Sequence, residues 1–263
     1  MVEFKSWRSY WNFELSVKRR SRYIHDDETK QFLEAILYTS RKRTEIVPDS
    51  SILWRAQIGH AVEPLYQNGE FIDEIPSPYP PERMKPVKNR AKEGRANPKG
   101  IPYLYLSTNR ETALSEVRPW IGSLISVAQF RTKRDLKIVN CTVNTTSNKI
   151  YFEEPSAKDR EQSVWTQIDK AFAKPVDPSD DIADYVPTQI IAELFRENGF
   201  DGLAYRSSLG KGHNIVLFDL NLADLMNCFL FEVKSIDFHF EEAGNPYFMK
   251  RPYKGNKSNI QGT

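Results

Sequence analysis

The stretch from residue 95 to residue 119 requires a strand and a helix to follow one another directly. Residues 101–107 alternate between tyrosines on one face and leucines on the other, which is the period of a β-strand with different surroundings on its two faces. Thr108 and Glu111 have the spacing of a capping box, and this spacing predicts that a helix begins there. Pro119 is expected to end that helix.

The remaining patterns mix strands and helices without a regular βαβ rhythm, which favours an α+β domain with a mostly antiparallel sheet. A long proline-rich loop interrupts them over residues 75–86. Helices are predicted at 26–37, 160–173 and 187–198, and strands at 52–58, 123–130, 136–143, 202–205, 214–218 and 229–240. We therefore expect an N-terminal helical extension at 1–49 that packs on a core domain at 50–240, followed by a loose tail at 241–263.

Charge and cysteine content restrict the classes of function. The net charge of +2 is too small to predict nucleic-acid binding from bulk electrostatics. The basic run Lys18, Arg19, Arg20 and Arg22 is most simply a solvated face. The two cysteines form neither a zinc pattern nor a disulfide framework, and no segment is apolar enough to cross a membrane. These features predict a cytoplasmic protein.

Three side chains in the predicted strands and helix are candidates for a catalytic or binding role. Glu116 in the predicted helix is a carboxylate that could stabilise an oxocarbenium-like transition state, or an ordinary surface glutamate. Tyr105 at the end of the strand could stack on an aromatic base, or be a half-buried sheet residue. Arg55, in the middle of the 52–58 strand, could hold a phosphate or lie exposed on the face of the sheet.

The loop between the 202–205 and 214–218 strands carries Ser207 and Ser208 among glycines. Glycine-rich loops can expose backbone N–H groups to an anion, although an ordinary connection has the same composition. The loop is not a P-loop, because GxxxxGK[ST] is absent. The sequence also lacks GxSxG, and its four histidines have no metal-ligand spacing. No metal or bound cofactor is expected.

Four stretches together resemble the RES domain family, which is named for an arginine, a glutamate and a serine. They are LWRAQIG around Arg55, RANPKGIPYLYLSTNRETALSEVRP around Tyr105 and Glu116, NGFDGLAYRSSLG around Ser207, and HNIVLFD around Asn214. The second stretch is long and specific, and the four occur in the order of the family. The resemblance implies a fold related to ADP-ribosyltransferases and a cleft that binds NAD as a substrate.

The resemblance also implies roles for the individual residues. Arg55 would contact the phosphates or ribose of NAD, and Tyr105 would flank the nicotinamide. Glu116 would bind ribose hydroxyls and stabilise positive charge at the anomeric carbon. Ser207 would hydrogen-bond the substrate or orient Glu116, with Ser208 as the alternative, and Asn214 would line the substrate site. A tyrosine that follows the arginine in some members is an alanine here, so stacking is expected from Tyr103 or Tyr79.

Several functions fit this resemblance. Some RES proteins are toxins of toxin–antitoxin pairs that degrade NAD by phosphorolysis or hydrolysis, and at least one ADP-ribosylates a protein. The implied partners are NAD, inorganic phosphate, a cognate antitoxin and a second copy of the chain. The chain is longer than compact RES toxins, through its N-terminal segment and the proline-rich insertion. A non-catalytic module that binds nucleic acid or protein through the basic N-terminal helices is the alternative from a different class.

Overall fold

A computed structural model describes residues 2–87, 90–143, 145, 150–174, 182–237 and 240. It contains an eight-stranded sheet, a separate two-stranded ribbon and six α-helices in these ranges. The helices are α1 (Ser9–Arg19), α2 (Asp27–Ser40), α3 (Pro81–Met84), α4 (Arg110–Glu116), α5 (Ala157–Ala173) and α6 (Val186–Glu197). The strands are β1 (Thr44–Val47), β2 (Ile52–Ile58), β3 (Ala61–Gln67), β4 (Glu70–Ser77), β5 (Leu104–Ser107), β6 (Leu124–Thr132), β7 (Leu136–Asn140), β8 (Gly202–Arg206), β9 (His213–Leu217) and β10 (Ala223–Glu232).

The large sheet has the strand order β1-β7-β8-β9-β5-β2-β6-β10. Its neighbouring strands are antiparallel, except that β7 and β8 are parallel. The predicted α+β class with a mostly antiparallel sheet is therefore confirmed. β2 and β5 lie side by side in the middle of the sheet, and β9 flanks β5, so three of the four sequence stretches meet there.

Two hydrophobic clusters pack on this sheet, and the alternation in β5 shows how the sequence separates them. Tyr103 and Tyr105 pack with one cluster, whereas Leu104 and Leu106 belong to the other. The first cluster includes large side chains from α1, α2, α5 and α6, namely Tyr10, Phe13, Phe32, Ile36, Trp165, Phe172, Ile191 and Phe195. The N-terminal helices thus share a core with α5 and α6, which lie between β7 and β8 in the chain, and β1 extends the edge of the sheet next to β7.

The predicted capping box at the start of α4 is wrong. The N-cap is Asn109, whose side chain accepts a hydrogen bond from the backbone N–H of Thr112 at 2.8 Å. The Thr108 hydroxyl accepts instead from the backbone N–H of His213 at 3.0 Å. Asn and Thr both cap helices well, and here Thr108 is engaged by β9 while Asn109 caps the helix.

The proline-rich segment is not the loop that the sequence suggested. Residues 75–77 complete β4, and α3 begins directly at Pro81. Tyr79 is 8% exposed, and its backbone N–H donates to the Ser126 hydroxyl at 2.8 Å. The segment is held against the sheet because its aromatic and apolar side chains pack into the second cluster.

The last predicted strand is displaced. β10 begins at Ala223 and ends at Glu232, because it pairs with the whole length of β6. The predicted loose tail at 241–263 lies outside the described residues. None of the helices in the described ranges has the length and apolar character needed to cross a bilayer.

Candidate active site

Glu116 is the last residue of α4 and points into a cleft between this short helix and the centre of the sheet. The helix ends here because the chain turns at Arg118, which has a left-handed backbone with φ of 48°. Strands β2, β5, β8 and β9 also contribute to the cleft. Its lining residues are Trp54, Arg55, Ala56, Tyr105, Leu106, Ser107, Ala113, Glu116, Val117, Tyr205 and Asn214.

One oxygen of Glu116 is held from two sides. Its Oε1 accepts a hydrogen bond from the Ser207 hydroxyl at 2.7 Å and from the Asn214 amide at 2.6 Å. Asn214 is held in turn, because its Oδ1 accepts from the Ser107 hydroxyl at 2.9 Å. Across the described part of the chain no donor reaches Oε2 of Glu116, so the carboxylate is oriented through one oxygen while the other remains available for a ligand.

The loop after β8 selects Ser207 over Ser208 as the partner of Glu116. The Ser207 hydroxyl accepts hydrogen bonds from the backbone N–H groups of Leu209 at 3.1 Å and Gly210 at 3.0 Å, which direct its own proton towards Glu116. A Cβ atom on Gly210 would lie 2.8 Å from the Thr112 hydroxyl of α4, so the glycine permits a close approach of loop and helix. Ser208 is exposed to solvent.

Arg55 brings a positive charge to the floor of the cleft. Its Nη1 donates to the backbone carbonyl of Tyr105 at 3.0 Å, while its buried Nε has no hydrogen-bond partner among the described residues. Burial lowers the pKa of Arg55 to about 10, so the side chain is still charged at neutral pH. A buried charged donor without a partner is costly, and an anionic or strongly accepting ligand would relieve that cost.

Tyr105 presents its ring to the cleft, whereas its hydroxyl belongs to the fold. The hydroxyl donates to Asn97 Oδ1 at 2.7 Å and accepts from the backbone N–H of Ala96 at 2.9 Å. Burial raises the pKa of Tyr105 well above its ordinary value, which keeps the group neutral. Tyr105 therefore offers an aromatic surface to a ligand, and its hydroxyl holds the preceding loop in place.

Comparison with known proteins identifies the family. The RES domain family matches residues 52–241, which is more than half of the chain. The chain belongs to the RES domain family. No curated protein sequence matches it. A solved chain from the M. tuberculosis MbcT–MbcA toxin–antitoxin complex is similar over 75% of this chain and 92% of its own length, with 12% identical residues and a TM-score of 0.41.

The aromatic wall of the RES cleft differs from the sequence expectation. Tyr103 is only 1% exposed and packs against Phe218, and Tyr79 is buried beneath Arg83, so neither lines the cleft. Trp54 and Tyr205 do line it. Sequence reasoning missed both because each stands in an ordinary strand pattern, although Trp54 directly precedes Arg55.

A second arginine, Arg95, lies near the same RES cleft. Burial raises the pKa of Tyr205 to about 12, and the positive charge of the nearby Arg95 guanidinium opposes this rise. The loop that carries Arg95 is fixed by Gln189, whose Nε2 donates to the carbonyls of Gly94 at 2.9 Å and Asn97 at 3.0 Å. The position of Arg95 two residues before Asn97 in the longest motif was the signal that could have identified it.

Proposed function

We propose that this RES domain protein breaks the bond between nicotinamide and ribose in NAD. The observation that carries the proposal is the common cleft of Arg55 and Glu116, in which Ser207 and Asn214 hold one oxygen of the glutamate and leave the other available. This arrangement suits a reaction that needs an oriented negative charge beside a developing sugar cation. Membership of the RES family supports it independently.

The chemistry asks little of the protein beyond position and charge. The nicotinamide of NAD is a cationic leaving group, so the electron pair of the broken carbon–nitrogen bond neutralises the ring and no general acid is required. Positive charge passes to the anomeric carbon and ring oxygen of the ribose. We assign to Glu116 the stabilisation of that charge through Oε2, in a site where the carboxylate is already oriented.

The cleft is large enough to enclose only one end of the NAD molecule. The cavity volume is about 140 Å³, whereas sites that enclose a drug-sized ligand measure about 300–1,000 Å³. Only the nicotinamide riboside end of NAD would therefore enter, against the rings of Tyr105, Tyr205 and Trp54. The guanidinium groups of Arg55 and Arg95 would contact the ribose and phosphate groups that follow the nicotinamide in NAD.

The new bond to the anomeric carbon would be formed by water or by inorganic phosphate. Attack of water on the anomeric carbon forms ADP-ribose and releases a proton, whereas attack of a phosphate oxygen forms ADP-ribose 1″-phosphate. Transfer to a protein side chain would leave label on a macromolecule. Measuring the products of NAD breakdown with and without phosphate by mass spectrometry distinguishes these three acceptors.

The test of the proposal compares two glutamates on the same helix. Glu116→Gln keeps an oxygen that can accept from Ser207 and Asn214 but removes the charge, so we expect NAD cleavage to fall by about 100- to 1,000-fold. Glu111→Gln changes an exposed residue in the first turn of α4 and should leave the rate unchanged. Intact NAD after incubation with folded wild-type protein, in both phosphate and phosphate-free buffer, would refute the proposal.

We further propose that this activity makes the protein a toxin that a cognate antitoxin controls, since loss of NAD is harmful to any cell. Induction of the wild-type chain alone should arrest growth, and the arrest should disappear with Glu116→Gln but persist with Glu111→Gln. Arrest that persists with Glu116→Gln would show that the toxicity has another cause.

A further inference from the structure

The ribbon formed by β3 and β4, here called the arm (residues 61–77), is not covered by the rest of the described chain. Along both strands the side chains are exposed, except at the base, where Ala61 is half-buried and Ser77 is buried. The two strands are joined at Asn68 and Gly69, whose φ angles of 54° and 86° are those of a tight hairpin turn. A two-stranded ribbon in water is at best marginally stable, so the arm by itself contributes little to the stability of the fold.

The arm also exposes large apolar side chains, which indicates that another surface covers it. They are Val62 at 51%, Leu65 at 41%, Tyr66 at 60%, Phe71 at 58%, Ile72 at 49% and Ile75 at 42%. Single exposed apolar residues are normal, but six large ones on one two-stranded ribbon favour a site of protein interaction.

The charge of the arm restricts what can cover it. Glu63, Glu70, Asp73 and Glu74 are exposed, and residues 61–77 contain no lysine or arginine. None of the four carboxylates forms an ion pair with any residue that the structure describes. A surface that buries the arm must therefore be apolar and basic.

The same chain presents such a surface at residues 19–24, here called the basic corner. Arg19, Arg20 and Arg22 are exposed and make no ion pair within the described ranges. Tyr23 is 88% exposed and Ile24 is 82% exposed. Lys18, by contrast, is neutralised by Glu14 and Asp184, each at 2.6 Å, and belongs to the fold.

We propose that the arm of one chain docks on the basic corner of a second copy. Both surfaces stay exposed in the single chain, so each is available to another molecule. They complement each other in charge and in apolar character, which a nucleic acid would not do for the acidic arm. The basic corner lies outside the RES match at 52–241, so this contact is a property of this chain beyond its RES domain.

Charge reversal tests the proposal without a known partner. One full-length variant carries E63K, E70K, D73K and E74K in the arm, and another carries R19E, R20E and R22E in the basic corner. Sedimentation equilibrium over a range of concentrations should show self-association of the wild-type protein and at least tenfold weaker association of each variant alone. An equimolar mixture of the two variants should associate again, because every arm then meets a corner of opposite charge.

Apolar substitutions provide a second measurement. Phe71→Ser should weaken self-association at both low and high salt, whereas Ile121→Ser, at a residue that is 66% exposed elsewhere on the molecule, should not. Circular dichroism checks that each variant is folded. The proposal is overturned if the wild-type chain is monomeric at all concentrations, if the mixture of variants stays monomeric, or if the corner variant loses nucleic-acid binding while self-association is unchanged.

Discussion

The carboxylate of Glu116 and the carboxylates of the arm have opposite environments. Glu116 is half-buried, and its Oε1 is held by Ser207 and Asn214, which are themselves held by loop and strand. The carboxylates of the arm are exposed and make no ion pair within the described chain. A carboxylate that buried polar side chains hold in one orientation is suited to catalysis. A carboxylate left in solvent is suited to recognition of a charged partner.

The two regions also differ in how their backbones are supported. Asn214 stands on a strand in the middle of the large sheet, so a change there disturbs neighbours on every side. The arm is a separate two-stranded sheet, and among the described strands β3 and β4 pair with each other alone. We therefore expect substitutions near Glu116 to change stability and activity, and substitutions in the arm to change association alone.

Among changes within the two regions compared, the largest effect on stability is expected for Asn214→Leu. This change leaves the Ser107 hydroxyl without its acceptor and Glu116 with one donor fewer, and buried groups left unpaired cost about 2–3 kcal/mol of unfolding free energy. The matched control is Asn227→Leu on the exposed side of β10, for which about 0.5 kcal/mol or less is expected. Urea denaturation of both variants measures the difference, and equal losses would contradict the network.

A smaller effect distinguishes the two neighbouring serines. Ser207→Ala removes the hydroxyl that positions Glu116, and misplacement of a reacting group lowers kcat by about 10- to 100-fold. Ser208→Ala, at an exposed residue, should leave kcat for NAD unchanged. The reverse ranking in steady-state assays would mean that the loop turns the other serine towards the substrate.

Two tyrosine-to-phenylalanine changes extend the comparison to hydroxyl groups. Tyr105→Phe deprives the Ala96 N–H and the Asn97 side chain of a partner, and we expect a loss of about 1–2 kcal/mol. Tyr66→Phe removes an exposed hydroxyl from the arm and should cost less than about 0.5 kcal/mol. Thermal unfolding followed by circular dichroism is sufficient, and a Tyr105→Phe variant as stable as wild type would show that this hydroxyl does not hold the loop.

The smallest effect is expected in the arm itself. Phe71→Ser in dilute, monomeric protein should change the unfolding free energy by about 0.5 kcal/mol or less, because the ring is exposed and contacts chiefly Tyr66. Phe130→Ser, at a fully buried residue of the second cluster, should cost more than about 3 kcal/mol. A large loss for Phe71→Ser at low concentration would mean that the arm is part of the folded core.

Much of the fold could be predicted because the spacing of apolar residues along a short segment indicates which of its faces is buried. The alternation in β5 correctly separated the tyrosines from the leucines, and the helical periods located α2, α5 and α6 to within a few residues. The arm was missed although Asn68 and Gly69 are a strong hairpin signal, because both its strands are exposed and lack the buried face that makes a strand visible in sequence.

The sequence by itself determined the family, the α+β class and the candidate residues, since each depends on the pattern of residues within short, continuous segments. Only the tertiary structure decided that Ser207 rather than Ser208 meets Glu116, that the hydroxyl of Tyr105 is committed to its own loop, and that Tyr205 completes the cleft. The reason is distance along the chain: Ser207 and Glu116 are 91 residues apart, and their contact depends on the close approach of a glycine loop to α4.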